Sequence, residues 1–338
     1  MKTIIKLVIL LAIIGTAGCI SGFLLLNRAS SEIPEKGIEF DIRPGDYASA
    51  IAIRLKREKL ITSSFFFKVM TRISGLDKRL QSGYLQIQPG EKTTDIINNI
   101  LNGKFSTITF TIPEGYNFKE INRVLIDKNV LTKKQIDDFT ALPDWLVKIG
   151  LPTYCKTPEG FMFPETYTIR KGSSITKIYR TMVNEFYSRL KSEVSNYETL
   201  SSKDFYDRII LASIIEKEVR AQNEAAVVAG VFLNRLNQNM KLQSCATVQY
   251  VLGKPKERLL ENDLFIESPY NTYLNTGLPP SPISNPGINA LKAAFNPAKS
   301  DYLYFVVKDP AKGTHQFSKT YEEHLKAQSR YKSIKGFQ

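Results

Sequence analysis

The sequence predicts an α+β protein with an N-terminal transmembrane helix, a small βααβ module and a larger mixed α+β domain. Three observations predict it. Residues 7–26 form an uncharged, mostly apolar run. Two alternating segments, 38–42 and 83–88, enclose two helical patterns. From residue 106 onward, short alternating strands are interspersed with amphipathic stretches.

The apolar run is preceded by Lys2 and Lys6 and followed by Arg28. Its twenty residues, at about 1.5 Å each, cover a hydrocarbon core of roughly 30 Å. A cleaved signal peptide normally has an apolar core of only about 7–15 residues. Thr16-Ala-Gly-Cys19 resembles a lipid-modification box, yet residues 20–26 stay apolar where a lipoprotein would turn polar. A retained single membrane span is therefore expected. Residues 1–6 would form a cytoplasmic tail, 7–26 the span and 27–36 a linker, with the remainder outside, as the leading lysines favour.

Residues 38–42 alternate as a strand and end at the turn cluster Arg43-Pro-Gly-Asp46. Residues 47–60 read as an amphipathic helix, and Ser63-Ser64 caps a second helix over 65–73. Residues 83–88 alternate again up to Pro89-Gly90, and 94–101 form a short helix ending at Asn102-Gly103. This order, with the phrases Arg43-Pro-Gly-Asp46 and Gln88-Pro-Gly-Glu91, resembles a LysM-like module over 37–104. The resemblance implies contact with N-acetylglucosamine-containing glycans, against the alternative of a simple spacer.

The domain expected over 105–338 opens with a strand at 108–112 turned by Pro113-Glu-Gly115. Helices follow at 118–128 and 133–139, then a Pro-, Gly- and aromatic-rich loop at 157–168 and a helix at 175–190. Ser201 with Asp204 is a capping arrangement opening a helix over 203–219. Residues 222–236 form a second helix, so the two make a hairpin with Arg220 in the turn.

The helix at 203–219 carries Glu216 and Glu218 within an apolar run, Leu211-Ala-Ser-Ile-Ile-Glu-Lys-Glu-Val219. Burial raises a carboxyl pKa and makes a proton donor near neutral pH. Both glutamates face partly apolar neighbours, so periodicity does not select the acid, and pairing of one with Lys217 or Arg220 stays open. Downstream lie loops rich in Pro, Tyr and Asn: 242–250, 268–273 and 277–287. Rigid turns presenting aromatic rings and amides suit a sugar ligand, although each loop alone also fits plain turn chemistry.

Composition narrows the partners. The 46 Lys+Arg against 33 Asp+Glu give a net charge of +13, which suits a polyanion, a membrane surface or an anionic wall polymer. No zinc-finger, RRM or basic-zipper pattern is present, so nucleic acid is not an expected partner. HExxH, CxxC, P-loop and GxGxxG patterns are absent from the sequence; no metal or cofactor is therefore expected. Pairing of Cys155 with Cys245 is left open. His315 and His324, beside Phe317 and Glu323, read as a packed cap of the C-terminal helix.

Taken in order, several motifs resemble the endolytic murein transglycosylases, the YceG-like or MltG family. They are Glu159-Gly-Phe-Met-Phe-Pro-Glu-Thr-Tyr167, Ala212-Ser-Ile-Ile-Glu-Lys-Glu218, Val231-Phe-Leu-Asn-Arg-Leu236, Leu242-Gln243 with Thr247-Val248, Ser268-Pro-Tyr-Asn-Thr-Tyr273, Gly277-Leu-Pro-Pro280 with Asn285-Pro-Gly287, and Gly313-Thr-His-Gln-Phe-Ser318. The resemblance covers nearly the whole chain and is similar also in its N-terminal span. It implies a lyase that cuts the MurNAc–GlcNAc bond of peptidoglycan without water, leaving 1,6-anhydroMurNAc ends and terminating or trimming nascent strands. It places the catalytic acid at Glu216.

The same resemblance makes Glu165, Tyr167, Glu218, Gln243, Thr247, Tyr270, Asn271 and Asn285 candidate substrate-binding residues, with Glu165 orienting substrate or tuning Glu216. It also implies work beside wall synthases such as penicillin-binding proteins. The family often carries Asp-Pro where this chain has Cys245-Ala246, so that loop is expected to shape substrate and not to catalyse. Two competing readings are a muramidase that hydrolyses the same polymer with a second carboxylate, and a non-catalytic glycan-binding scaffold.

Overall fold

The computed structural model describes residues 2–43, 45–76, 80–195, 197–253, 256 and 259–334. Pro44 of the expected turn lies outside the described residues. The chain divides into two compact units, one formed by Met1–Thr109 with Thr168–Ser173, the other by Phe110–Tyr167 with Ser174–Gln338.

The first unit begins with α1 (Lys2–Leu26), whose stretch Ile4–Leu26 is long and apolar enough to cross a membrane. Strand β1 (Ile38–Ile42) precedes α2 (Ala48–Arg57) and α3 (Ser64–Ile73), and β2 (Gly83–Ile87) precedes α4 (Thr93–Leu101). β1 and β2 pair antiparallel with Phe40 opposite Leu85. A period of two sends Phe40, Ile42, Leu85 and Ile87 to one face. There they pack with Ile51 and Leu55 of α2, Phe67 of α3 and Ile96 and Ile100 of α4. Ser63 caps α3 by accepting the Phe66 N–H at 3.2 Å. The end of α1 is tied to this core: the Thr62 hydroxyl donates to the Leu26 carbonyl at 2.6 Å, Asn27 bonds Thr94 twice, and Phe23 meets Phe66 edge-on at 5.4 Å.

Strands β3 (Thr107–Thr111) and β4 (Thr166–Arg170) form a second two-stranded sheet, with threonine pairs Thr109–Thr168 and Thr111–Thr166. The other helices are α5 (Phe118–Asp127), α6 (Lys133–Thr140), α7 (Trp145–Lys148), α8 (Ile175–Glu193), α9 (Ser202–Glu218), α10 (Ala225–Asn237), α11 (Cys245–Leu252) and α12 (Ile288–Phe295). A final hairpin of β5 (Tyr304–Asp309) and β6 (Thr314–Ser318) carries α13 (Tyr321–Ile334). Capping side chains set the starts of α5, α6, α8 and α9 through Asn117, Thr132, Ser174 and Ser201.

The second unit is built around α9, which packs on α10, α11 and α12. Phe205, Ile209, Ile210, Leu211, Ala212, Ile214 and Ile215 are all buried, so α9 is apolar around its whole girth. A helix of that kind must be enclosed, which explains why periodicity could not choose between its two glutamates. α10 approaches residue 298 so closely that a Cβ on Gly230 would lie 2.4 Å from the Ala298 carbonyl oxygen. The expected hairpin is present, with a short 3₁₀ turn at Gln222–Glu224 before α10. Cys155 and Cys245 are free thiols, the first buried and the second exposed.

Candidate active site

α9 ends where Val219 turns to extended backbone, so Glu216 and Glu218 lie on its last turn. They point to different surroundings. The half-buried Glu216 accepts the Gly287 N–H on Oε2 at 3.0 Å. Gly287 is the N-cap of α12, so the carboxylate sits at a helix N-terminus. Burial nevertheless dominates and pushes the Glu216 pKa up to about 7. The Gly287 N–H opposes this shift, Glu114 adds to it, and Lys217 lowers it.

The Pro113-Glu-Gly115 turn lies beside Glu216. Lys217 Nζ donates to the Gly115 carbonyl at 3.2 Å, and Gly115 donates its N–H to the Asn285 carbonyl at 2.9 Å. Gly115 adopts φ +75, and a Cβ there would stand 3.5 Å from Glu216 Cγ. The proline-rich loop is stitched to α9 one turn earlier. Ser213 Oγ accepts the Ile283 N–H at 3.0 Å, and Ser284 Oγ donates to the Ser213 carbonyl at 3.0 Å.

Asn285 is fully buried and joins three loops. Its Oδ1 accepts the Met162 N–H at 2.9 Å; its Nδ2 donates to the Tyr116 carbonyl at 2.9 Å and to Glu159 at 3.3 Å. Glu159 is also buried and accepts the Phe118 N–H at the start of α5, yet burial raises its pKa to about 8. Asn285 therefore acts as scaffold for the loops around Glu216.

Glu218 faces the other way. Ser244 Oγ donates to it at 2.5 Å and the Ala246 N–H also reaches it; burial still raises its pKa. It lines a cavity of about 500 Å³ with Arg235, Gln243, Ser244, Tyr273 and His315. His315 stands on β6, its Nδ1 2.7 Å from Glu224, and does not cap the C-terminal helix as the sequence had suggested. Its ring lies edge-on to Phe305 at 5.4 Å.

Of the other sequence candidates, Gln243 lines the cavity of Glu218. Gln243 holds φ +53 and donates its N–H to the Thr272 carbonyl. Thr247 is buried and bonds Thr272 at 2.9 Å. Asn271 is buried and holds the Leu264 and Ile266 carbonyls. The Tyr270 hydroxyl meets Ser281 at 2.5 Å, and its ring lines a cavity of about 390 Å³ with Tyr250 and Glu159. The buried Tyr167 hydroxyl donates to the Phe163 carbonyl, and Glu165 pairs with Arg189 at 2.8 Å. Sequence reasoning missed Glu114, Gly287 and Glu224. The Pro-Glu-Gly phrase had marked Glu114 only as part of a turn, and Asn285-Pro-Gly287 had entered as a loop and a family motif with no role for its glycine.

An acid with its pKa near neutrality, framed by proline-rich loops, is the arrangement a carboxylate-dependent enzyme requires. The YceG-like family model matches residues 40–330, and the chain belongs to that family. It is 34% identical over 337 residues to the endolytic murein transglycosylase of Bacillus subtilis (strain 168), covering 94% of this chain and 92% of that protein. It is 28% identical to the endolytic murein transglycosylase of Streptococcus pneumoniae serotype 2 over 86% of this chain, which spans 57% of that longer protein. The crystal structure of a yceG-like protein from Listeria monocytogenes superposes with a TM-score of 0.57 at 31% identity, covering 87% of this chain and 99% of that one.

Proposed function

We propose that this chain is an endolytic murein transglycosylase, a lyase acting on peptidoglycan, with Glu216 as its single proton-transfer residue. The family and the named relatives support the activity. One observation carries the assignment of the acid: the Glu216 carboxyl is held by the Gly287 N–H, with burial bringing its pKa to about 7, so both protonation states are populated near neutral pH. The protonated carboxyl gives its proton to the glycosidic oxygen between MurNAc and GlcNAc. The C1–O bond breaks with its electron pair going to that oxygen. The C6 hydroxyl of the same MurNAc then attacks C1, and its proton returns to the Glu216 carboxylate. The sugar supplies its own nucleophile, so one acid suffices where hydrolytic glycosidases use two, and intramolecular attack lowers the entropic cost.

The wider proposal places α1 in the cytoplasmic membrane as a single span, with the catalytic domain outside where peptidoglycan lies. Residues 37–104 serve as the LysM-like, glycan-contacting module. Wall synthases of the penicillin-binding class are the proposed partners, and nascent glycan strands the substrate. Cleavage would release or trim those strands.

Glu216→Gln tests the acid. Assayed on purified glycan strands by mass spectrometry, it should yield no anhydro-ended products, which are one water lighter than hydrolytic ones. Anhydro products at the parent rate would remove Glu216 from the role. A second reading gives the role to Glu218, because that residue lines the cavity of about 500 Å³ with Gln243 and Tyr273. Loss of products in Glu218→Gln with their survival in Glu216→Gln would establish it.

A further inference from the structure

The site holds a second carboxylate that the single-acid mechanism does not use. Glu114 is exposed at its turn, and its side chain rests against Gly287, the same glycine whose N–H binds Glu216. A Cβ on Gly287 would fall 1.9 Å from Glu114 Oε1 and 2.4 Å from its Cδ. The carboxylate therefore fills the space that any larger residue at 287 would need. Gly287 itself has φ −75 and ψ 175, ordinary extended backbone open to any residue. A side chain at 287 would have to push aside the Glu114 carboxylate, the far end of an exposed side chain.

We propose that Glu114 is a positioning residue of this enzyme: its carboxyl, seated beside the glycine whose N–H holds Glu216, sets the polar surroundings in which that acid passes its proton to the glycosidic oxygen. A like charge nearby disfavours ionisation of a carboxyl, and Glu114 is among the groups that raise the Glu216 pKa. The other groups facing Glu216 are the Gly287 N–H, and Lys217 on its own helix, whose Nζ is turned to the Gly115 carbonyl. Glu114 forms no bond and transfers no proton. The proposal rests on Glu216 being the acid.

The test is the pH profile of kcat/KM on defined glycan strands, for the full chain in detergent or bilayer. An acid must be protonated to act, so activity falls as pH rises through the Glu216 pKa. Glu114→Gln should move that alkaline limb down by roughly one pH unit, leaving activity near pH 5 close to parental. Gly287→Ala should move it the same way, because the new methyl displaces the Glu114 carboxylate while the backbone N–H to Glu216 survives. Glu114→Asp, which keeps the charge, should recover most of the shift. The double variant Glu114→Gln/Gly287→Ala should move no further than Glu114→Gln alone.

A parental profile in folded Glu114→Gln would overturn the proposal, while Glu216→Gln would still be inactive if only the acid assignment holds. Loss of activity at every pH in folded Glu114→Gln would also overturn it, since that marks a catalytic group and not a positioning one. Activity retained in Glu216→Gln would instead sink the assignment on which the proposal rests.

Discussion

The backbone N–H of Gly287 meets Oε2 of Glu216 at 3.0 Å, joining two residues 71 positions apart in the chain. The contact puts the acid at the first turn of α12, where the helix dipole favours a negative charge. Burial opposes that preference and wins, bringing the pKa to about 7. Charge is thereby tolerated at this position without being strongly favoured.

The activity should follow. With Glu216 acting first as acid, kcat/KM is expected to fall above about pH 7, the value to which its pKa is raised. A profile on purified glycan strands checks this; a flat profile from pH 6 to 9 contradicts it.

The same acid should cost stability at high pH. Its folded pKa lies above the usual carboxylate value of 4.5. The folded state therefore binds the proton more tightly, and stability falls as pH rises between about 4.5 and 7. Glu216→Gln can still accept the Gly287 N–H while abolishing the titration. Thermal melts at pH 8 should find it more stable than the parent by about 1 kcal/mol, with equality near pH 4.

Glu159 should act in the same direction, more strongly and without direct catalytic meaning. Its pKa is raised from 4.5 to about 8, so it remains largely protonated in the folded protein at neutral pH, while the unfolded chain ionises near 4.5. Stability tied to this group is full below the unfolded value and is lost as pH rises toward 8. Denaturant titrations of Glu159→Gln should show a flatter pH dependence over that window, by about 2 kcal/mol in total.

Asn285→Ala should be costly because one amide satisfies the Met162 N–H, the Tyr116 carbonyl and Glu159. Removing it orphans buried groups, at about 2–4 kcal/mol. The turn carrying Glu114 loses its side-chain tie through Tyr116 but keeps the two backbone bonds to residue 285, so kcat should fall modestly in protein that remains folded at low temperature. Circular dichroism melts paired with activity at 15 °C would check both parts.

Ser244→Ala should destabilise by about 1–2 kcal/mol, because Ser244 donates to the buried Glu218 carboxyl. The loss should be greater at high pH than at low, since the Ser244 bond opposes the burial-raised pKa of Glu218 and so favours its charged form. Equal losses at high and low pH would show that this hydrogen bond does not discriminate between the protonation states.

Much of the fold was legible beforehand. The strand at Ile38–Ile42 falls where its alternation placed it, Ser63 caps α3, and Ser201 caps α9. These features are local: a period of two or 3.6 and a hydroxyl three residues from an N–H are written within a few neighbours. The apolar run at the N-terminus is likewise a helix, beginning at Lys2. The 3₁₀ turn before α10 and the strand position of His315 were not legible. Each depends on a partner far along the chain, as with His315 and Glu224, 91 residues apart.

The sequence by itself determined most of the elements up to α10, the family motifs and the presence of two acids on an apolar helix, whereas the loop expected at 242–250 is largely the helix α11 and the β5–β6 hairpin was not read. Tertiary structure decided what each acid meets. Glu216 turns to Gly287 and the Glu114 turn, and Glu218 to Ser244 and the N-terminus of α11. It also placed Asn271, Asn285 and Thr247, polar residues in sugar-like loops, fully inside as ties between those loops. Side-chain periodicity records only the face of one helix, whereas a pKa is set by desolvation and by charges brought in from other segments. α9 is buried on every side over residues 209–215, just before the two glutamates, so only the packing of the other segments against it could make them different.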